Sequence, residues 1–254
     1  FTLKFYKNLF TKERLDFRLQ RRLTMNSTTA KNEATIITPA NFFYYLENPE
    51  LVGDNFEIQN ETAIIEMIAN REINEEEFAK WISHCDGMFV MLETVYNKLD
   101  NLFGLKEKEY EGLKSAIPYH DIGKALMPEL FSYTGRFSKF QHAAKNFHAA
   151  AGELYLQKHP EVLGKNKMAL RVIKEHHSVS KYYPSQVIKA LDVFQSLMAK
   201  DATRSYQDPE IAKKAKKIVF EFEKGLHNKK IMNILFNLYE KGALPVVKQN
   251  EVHA

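Results

Sequence analysis

Residues 74–99 read NEEEFAKWISHCDGMFVMLETVYNKL, and the fold reading rests on them. Asn74 is a good helix cap, and Glu75, Glu76 and Glu77 place negative charge in the first turn, where the helix dipole favours it. Phe78, Trp81, Cys85, Met88, Leu92, Val95 and Leu99 follow in alternating steps of three and four. That spacing is the apolar stripe of a long amphipathic helix, and Gly104 ends it.

The same period continues outward. Tyr110, Leu113 and Ile117 mark a second helix with Pro118 inside it as a kink. Phe140, Ala144, Phe147, Ala151 and Leu154 mark a third. Ala169, Val172, Ile173 and His176 mark a fourth, and Val187, Leu191, Phe194 and Met198 a fifth. Asp208-Pro209 is a cap followed by a first-turn proline. It opens a helix through Ile211, Ala215, Ile218 and Phe222 to Gly225. Ile231, Leu235 and Leu238 form a last helix, stopped by Gly242. The expected fold is mainly α, a helical bundle over residues 73–254.

Residues 1–72 read differently, as a small α/β unit. Thr35 to Thr38 predicts a short strand and Phe42 to Leu46 a short helix. The basic run from Lys12 to Arg22 is a solvated helix face ahead of a phosphate-binding patch.

Composition sets the outer bounds. The chain has 254 residues, 44% hydrophobic and 27% charged, with 36 Lys+Arg against 32 Asp+Glu. These are globular proportions, so disordered and collagen-like classes are excluded. Ten glycines and eight prolines disfavour a turn-rich all-β fold. The single cysteine, Cys85, excludes an internal disulfide framework and points to a reducing, cytoplasmic setting. No apolar run reaches the roughly 18 residues of a membrane span, and Phe1 to Phe10 does not read as a signal peptide. The net charge of +4 is too small to imply a nucleic-acid polymer.

Placement of the histidines carries the chemistry. His84 stands three residues after Trp81 and four before Met88, beside the first stripe. His120-Asp121 and His176-His177 fall at helix ends, and His148 and Asp192 flank stripes of their own helices. Packed stripe to stripe, these groups share one seam. Imidazoles and carboxylates are costly to desolvate without partners, and a divalent metal supplies them. Two metals about 3.5–4 Å apart need roughly this many ligands, with one shared carboxylate. Each element alone has an ordinary reading: a chance His-Asp dipeptide, a His pair offsetting a helix dipole, a hydrogen-bonded core histidine. The ordered set is much less expected by chance. His142, His159, His227 and His253 read as surface or tail residues.

At these positions the chain resembles the HD superfamily of metal-dependent phosphohydrolases, and within it the HD-GYP family of cyclic di-GMP phosphodiesterases. Ala116-Ile117-Pro118-Tyr119-His120-Asp121-Ile122-Gly123-Lys124 is similar to that family's signature. His148 with Gly152, Glu175-His176-His177, Tyr182-Tyr183-Pro184 and Asp192-Val193-Phe194 resemble its later segments in order, and His84 fits its first histidine. The likeness spans about residues 80–206.

The resemblance implies a binuclear site of iron or manganese. His84, His120, Asp121 and Asp192 would hold one metal; Asp121, His148, His176 and His177 would hold the other. Asp121 and Lys124 would be the catalytic residues, and Lys124, Tyr183 and Arg204 would meet the substrate. The reaction implied is hydrolysis of cyclic di-GMP to pGpG or GMP, with residues 1–72 regulating it or mediating pairing with a protein partner or second copy. Departures are visible as well. Ser178 stands where the family has Glu, Tyr182 where it has Gly, and Asp201 where a substrate-binding Arg is common. Lys80 replaces a Glu that serves some members as ligand to a third metal, so two metals are expected. These departures keep open a non-enzymatic cyclic-dinucleotide or partner-binding module, and a phosphohydrolase for another nucleotide.

Overall fold

The computed structural model describes residues 34–132, 135–198, 215–223 and 225–244. The basic run 12–22, Asp201, Arg204, the Asp208-Pro209 cap and the side chain of Lys80 lie outside them.

The chain enters through a small parallel pair, β1 (Thr35–Ile37) and β2 (Phe56–Ile58), in register Thr35↔Phe56. Helices α1 (Phe42–Glu47) and α2 (Glu61–Ala69) flank it. Asn60, in the left-handed region at φ 56, caps α2 by accepting from the Ala63 amide. The expected strand and helix of this unit are both present.

Helix α3 (Glu75–Glu93) is the helix of the opening stretch. Asn74 Oδ1 accepts from the Glu77 amide at 3.0 Å, which completes its cap. A turn of π-helix, Thr94–Lys98, extends α3 toward Gly104, whose φ is +67°.

Helix α4 (Glu107–Ala116) runs into a 3₁₀ turn, Ile117–Tyr119. Pro118 thus ends the helix instead of kinking it. With no N–H to give, it leaves the chain free to turn, and His120-Asp121 fall in that turn, ahead of the short α5 (Ile122–Ala125) and α6 (Pro128–Phe131). The expected third helix is divided into α7 (Lys139–Ala144) and α8 (Phe147–Lys158). Helix α9 (Pro160–Leu163) is one turn long. Helices α10 (Lys167–Glu175), α11 (Tyr183–Met198) and α12 (Lys229–Glu240) follow the expected periods, and Gly242, at φ +66°, closes the last.

Two apolar clusters hold these elements. The larger joins Met88, Leu92, Leu113, Ile117, Ile173, Val187, Leu191, Phe194 and Leu235. The second joins Ile37, Phe42 and Ile64 of the N-terminal unit to Leu126, Phe140, Phe147 and Ala151.

Close crossings position the site. A Cβ on Gly87 would lie 2.2 Å from the Gln195 side chain, so the glycine gives the Gln195 amide its place where α3 and α11 cross. His84 and Asp192 stand three residues before this crossing on each helix and face each other. A Cβ on Gly123 would lie 2.0 Å from the His148 carbonyl oxygen. That approach of α5 to α8 carries Asp121 to His148.

Candidate metal centre

The structure gathers the seven expected His and Asp residues into two adjoining groups: His84, His120 and Asp192, and Asp121, His148, His176 and His177. Within each, one donor atom per residue lies within 4.8 Å of the others. All are buried except His177, which is exposed.

Three of the imidazoles arrive with their tautomer set. Nδ1 of His120, His148 and His176 faces the carbonyl three residues back, at Ile117 (2.8 Å), Lys145 (2.5 Å) and Ile173 (2.6 Å). A carbonyl only accepts, so each Nδ1 carries a proton and each Nε2 is left facing the centre, with a lone pair wherever the ring is neutral. These lone pairs converge. His148 Nε2 is 3.3 Å from His176 Nε2 and 3.1 Å from His177 Nε2, and 3.1 Å from Asp121 Oδ1. His84 Nε2 meets Asp192 Oδ1 at 2.9 Å.

The site therefore concentrates acceptors. Asp121 Oδ1 and His120 Nε2 are buried and make no hydrogen bond among the described residues, despite polar neighbours within 3.5 Å. A cation satisfies facing lone pairs where a hydrogen bond cannot, so imidazole nitrogens and carboxylate oxygens in this arrangement fit a divalent metal.

Electrostatics agree. Burial alone would raise the carboxyl pKa of Asp121, yet Lys124 and His120 beside it hold it well below the usual carboxylate range. Burial opposes the Asp192 charge too, and the His84 bond outweighs it. Burial would lower His120, but Asp121 raises it well above an ordinary histidine; the field that retains a proton there also attracts a metal cation. Burial pushes His148 down to about 4, leaving it neutral and able to ligate at physiological pH.

Lys124 Nζ donates to Asp121 Oδ2 at 2.5 Å. Tyr183 is placed elsewhere: its hydroxyl donates to Phe103 O at 2.6 Å and its ring packs on the larger core. His227, read from sequence as a surface or tail residue, has a side chain only 5% exposed and lies 2.5 Å from Glu223. The turn after the π-helical segment Ile218–Phe222 folds it inward.

Sequence reasoning missed the supports of the His177 loop. Lys189 Nζ donates to His177 O and Ser178 O at 3.1 and 3.2 Å. Glu175 accepts from Ser180, Ser185 and Arg171. The aromatic neighbours of Lys124 were missed too, though Trp81 lies one turn before His84 on the same stripe.

A helical scaffold that closes two His/Asp groups around a buried carboxylate has the donor set of a divalent-metal site. The chain belongs to the HD domain family, which it matches over residues 81–219, and HD domains bind divalent metals. Over 131 residues it is 32% identical to the 3′3′-cGAMP-specific phosphodiesterase 2 of Vibrio cholerae serotype O1, a match covering 44% of this chain and 23% of that protein. The chain thus spans under a quarter of that relative's length. No solved structure matches the chain.

Proposed function

We propose that the chain is a binuclear metal-dependent phosphodiesterase acting on a cyclic purine dinucleotide, with cyclic di-GMP the substrate implied by its likeness to the HD-GYP family. His84, His120, Asp121 and Asp192 would hold one ion and Asp121, His148, His176 and His177 the other. The observation that carries this reading is the position of Asp121. Its Oδ1 lies 3.1 Å from His148 Nε2 and 3.5 Å from His176 Nε2, and its Oδ2 lies 3.3 Å from His120 Nε2. One carboxylate faces both groups, as a bridging ligand must.

Divalent ions bound there, iron or manganese by the family likeness, supply Lewis-acid polarisation of a phosphoryl oxygen and activation of water. The chain's own residues do the rest. The backbone-bound Nδ1 atoms keep the three imidazoles aimed inward. Lys124 places a positive charge beside Asp121, where developing negative charge on phosphorus would be stabilised. Lys145, whose pKa is lowered by burial and by the nearby Lys124 charge, adds to the positive field.

The relative's name brings 3′3′-cGAMP in as a second substrate, since both molecules are 3′–5′ diesters of two purine nucleotides. The second reading, binding without turnover, is favoured by Tyr182 and Ser178 in the degenerate signature and by the engagement of Tyr183 with Phe103 O.

The test is to load purified protein anaerobically with Fe(II) or Mn(II), incubate it with each dinucleotide and chromatograph the products. Formation of pGpG or GMP from cyclic di-GMP, lost in Asp121→Ala, is the expected result. Cleavage of 3′3′-cGAMP alone reassigns the substrate. Binding of either without product supports the module reading and overturns the enzyme.

A further inference from the structure

Lys124 reaches Asp121 from inside an aromatic cradle that the reading above leaves without a role. Its Nζ lies 4.1 Å from the centre of the Trp81 ring and 5.6 Å from that of Phe131. The two rings meet edge to face, 6.0 Å apart at 82°. Phe131 in turn meets the His148 ring at 5.5 Å and 82°. The cradle therefore joins the lysine to one of the candidate ligands. The Lys124 side chain is only 13% exposed.

Trp81 is held by its ring contacts. Its indole Nε1 is buried and makes no hydrogen bond among the described residues, whereas a buried tryptophan usually gives that N–H a partner. A ring face attracts an ammonium without neutralising it. A lysine on a flexible stem beside a carboxylate would otherwise move between that carboxylate and water.

We propose that Trp81 is a positioning residue: its face, backed by Phe131, holds the Lys124 ammonium at the edge of Asp121, where it meets the phosphodiester group of the substrate. The substrate part of this proposal rests on the phosphodiesterase reading; the cradle itself does not. Trp81 thereby sets where a full positive charge stands in the site.

Two measurements test it. The first is a double-mutant cycle of Trp81→Leu and Lys124→Gln, with the Mn(II)-loaded full chain hydrolysing bis(p-nitrophenyl) phosphate. Trp81→Leu should lower kcat/KM about tenfold when Lys124 is present and less than about twofold in the Lys124→Gln background. Trp81→Phe, which keeps a ring face, should recover most of that loss. A purely structural role would cost the same in both backgrounds, and equal losses overturn the proposal.

The second measurement needs no turnover. Trp81 is the chain's single tryptophan, so the tryptophan emission reports the surroundings of this one ring. Lys124→Gln should change its intensity or maximum in the metal-free protein, while Lys139→Gln, at an exposed ion pair with Asp54, should not. Emission indifferent to Lys124 overturns the cradle. Emission that responds, in a chain that hydrolyses no diester, supports the cradle and removes the phosphodiesterase reading instead.

Discussion

Three histidines carry their orientation in their own local backbone. His120, His148 and His176 each hydrogen-bond, through Nδ1, the carbonyl three residues earlier, so ring direction is fixed by contacts local in sequence. Acid should therefore unfold the metal-free protein more readily. His148, held at about 4 by burial, is neutral in the fold and takes up a proton when unfolded below its ordinary value of about 6.5. Its folded pKa is the lower, so the unfolded state binds more protons between these two values and stability falls with falling pH. His120, with its pKa raised, keeps its proton in the fold across this window and opposes the loss only near its top, where the unfolded chain begins to give that proton up. At pH 5 His148 alone should cost about 2 kcal/mol relative to neutral pH. Guanidinium unfolding of the metal-free chain at pH 7 and pH 5 measures this, and His148→Asn should show a smaller difference. The histidines at the site were legible because each flanks an apolar stripe or ends a helix. His227 was not legible, since its burial depends on a turn that leaves no periodic trace.

Among the elements, the helices whose apolar residues face one core were legible from period alone, α3, α10 and α11 above all. Their breaks were less so. The apolar run from Phe140 to Leu154 continues through Lys145 and Asn146, yet α7 stops there. The His148 amide and ring both turn to the Lys145 carbonyl, a short-range bond that hydrophobic spacing does not encode. Nor does spacing encode the glycine crossings. Gly123 stands in the resembled signature, but its physical task is contact with the His148 backbone, which a Cβ would penetrate at 2.0 Å. Backbone cannot yield as a flexible side chain can, so Gly123→Ala must push α5 and α8 apart. We expect a loss of roughly 1–3 kcal/mol from overpacking, and weaker Mn(II) binding, because Asp121 and His148 separate. Gly152→Ala, whose Cβ would stop 3.0 Å from Gly123 N and Ile122, should be milder on both counts. Chemical unfolding and Mn(II) titration of the two variants decide this; equal effects, or none at Gly123, would contradict the crossing argument.

At the scale of the whole molecule, periodicity tells which residues are buried but not which core they enter. Phe140, Ala144, Phe147 and Ala151 read as one stripe of the bundle, yet they pack with Ile37, Phe42 and Ile64. Arg71 reinforces this seam with a two-pronged ion pair to Glu129, a bond to Leu126 O at 2.8 Å and a contact over the Phe43 ring at 4.2 Å. The Asn74 amide also reaches Ala125 O. The N-terminal unit is thus fastened to the turns that follow Lys124. The candidate centre ties the chain across longer spans: His84 and Asp192 are 108 residues apart in sequence. A ligand that binds only the folded state stabilises it by about 2.7 kcal/mol at a hundred times its Kd, which for a chain of this size raises Tm by roughly 5–10 °C. Since the larger apolar core lies beside the centre and not within it, the metal-free chain should remain folded and simply melt earlier. Calorimetry with Mn(II), then with excess chelator, should show a reversible shift of that size, reduced in Asp121→Ala and with near-ultraviolet circular dichroism retained in the stripped protein. A melting temperature indifferent to both metal and chelator would mean that these acceptors converge without holding an ion. A stripped chain that loses its near-ultraviolet signal would mean instead that the centre, and not the apolar core, organises the bundle.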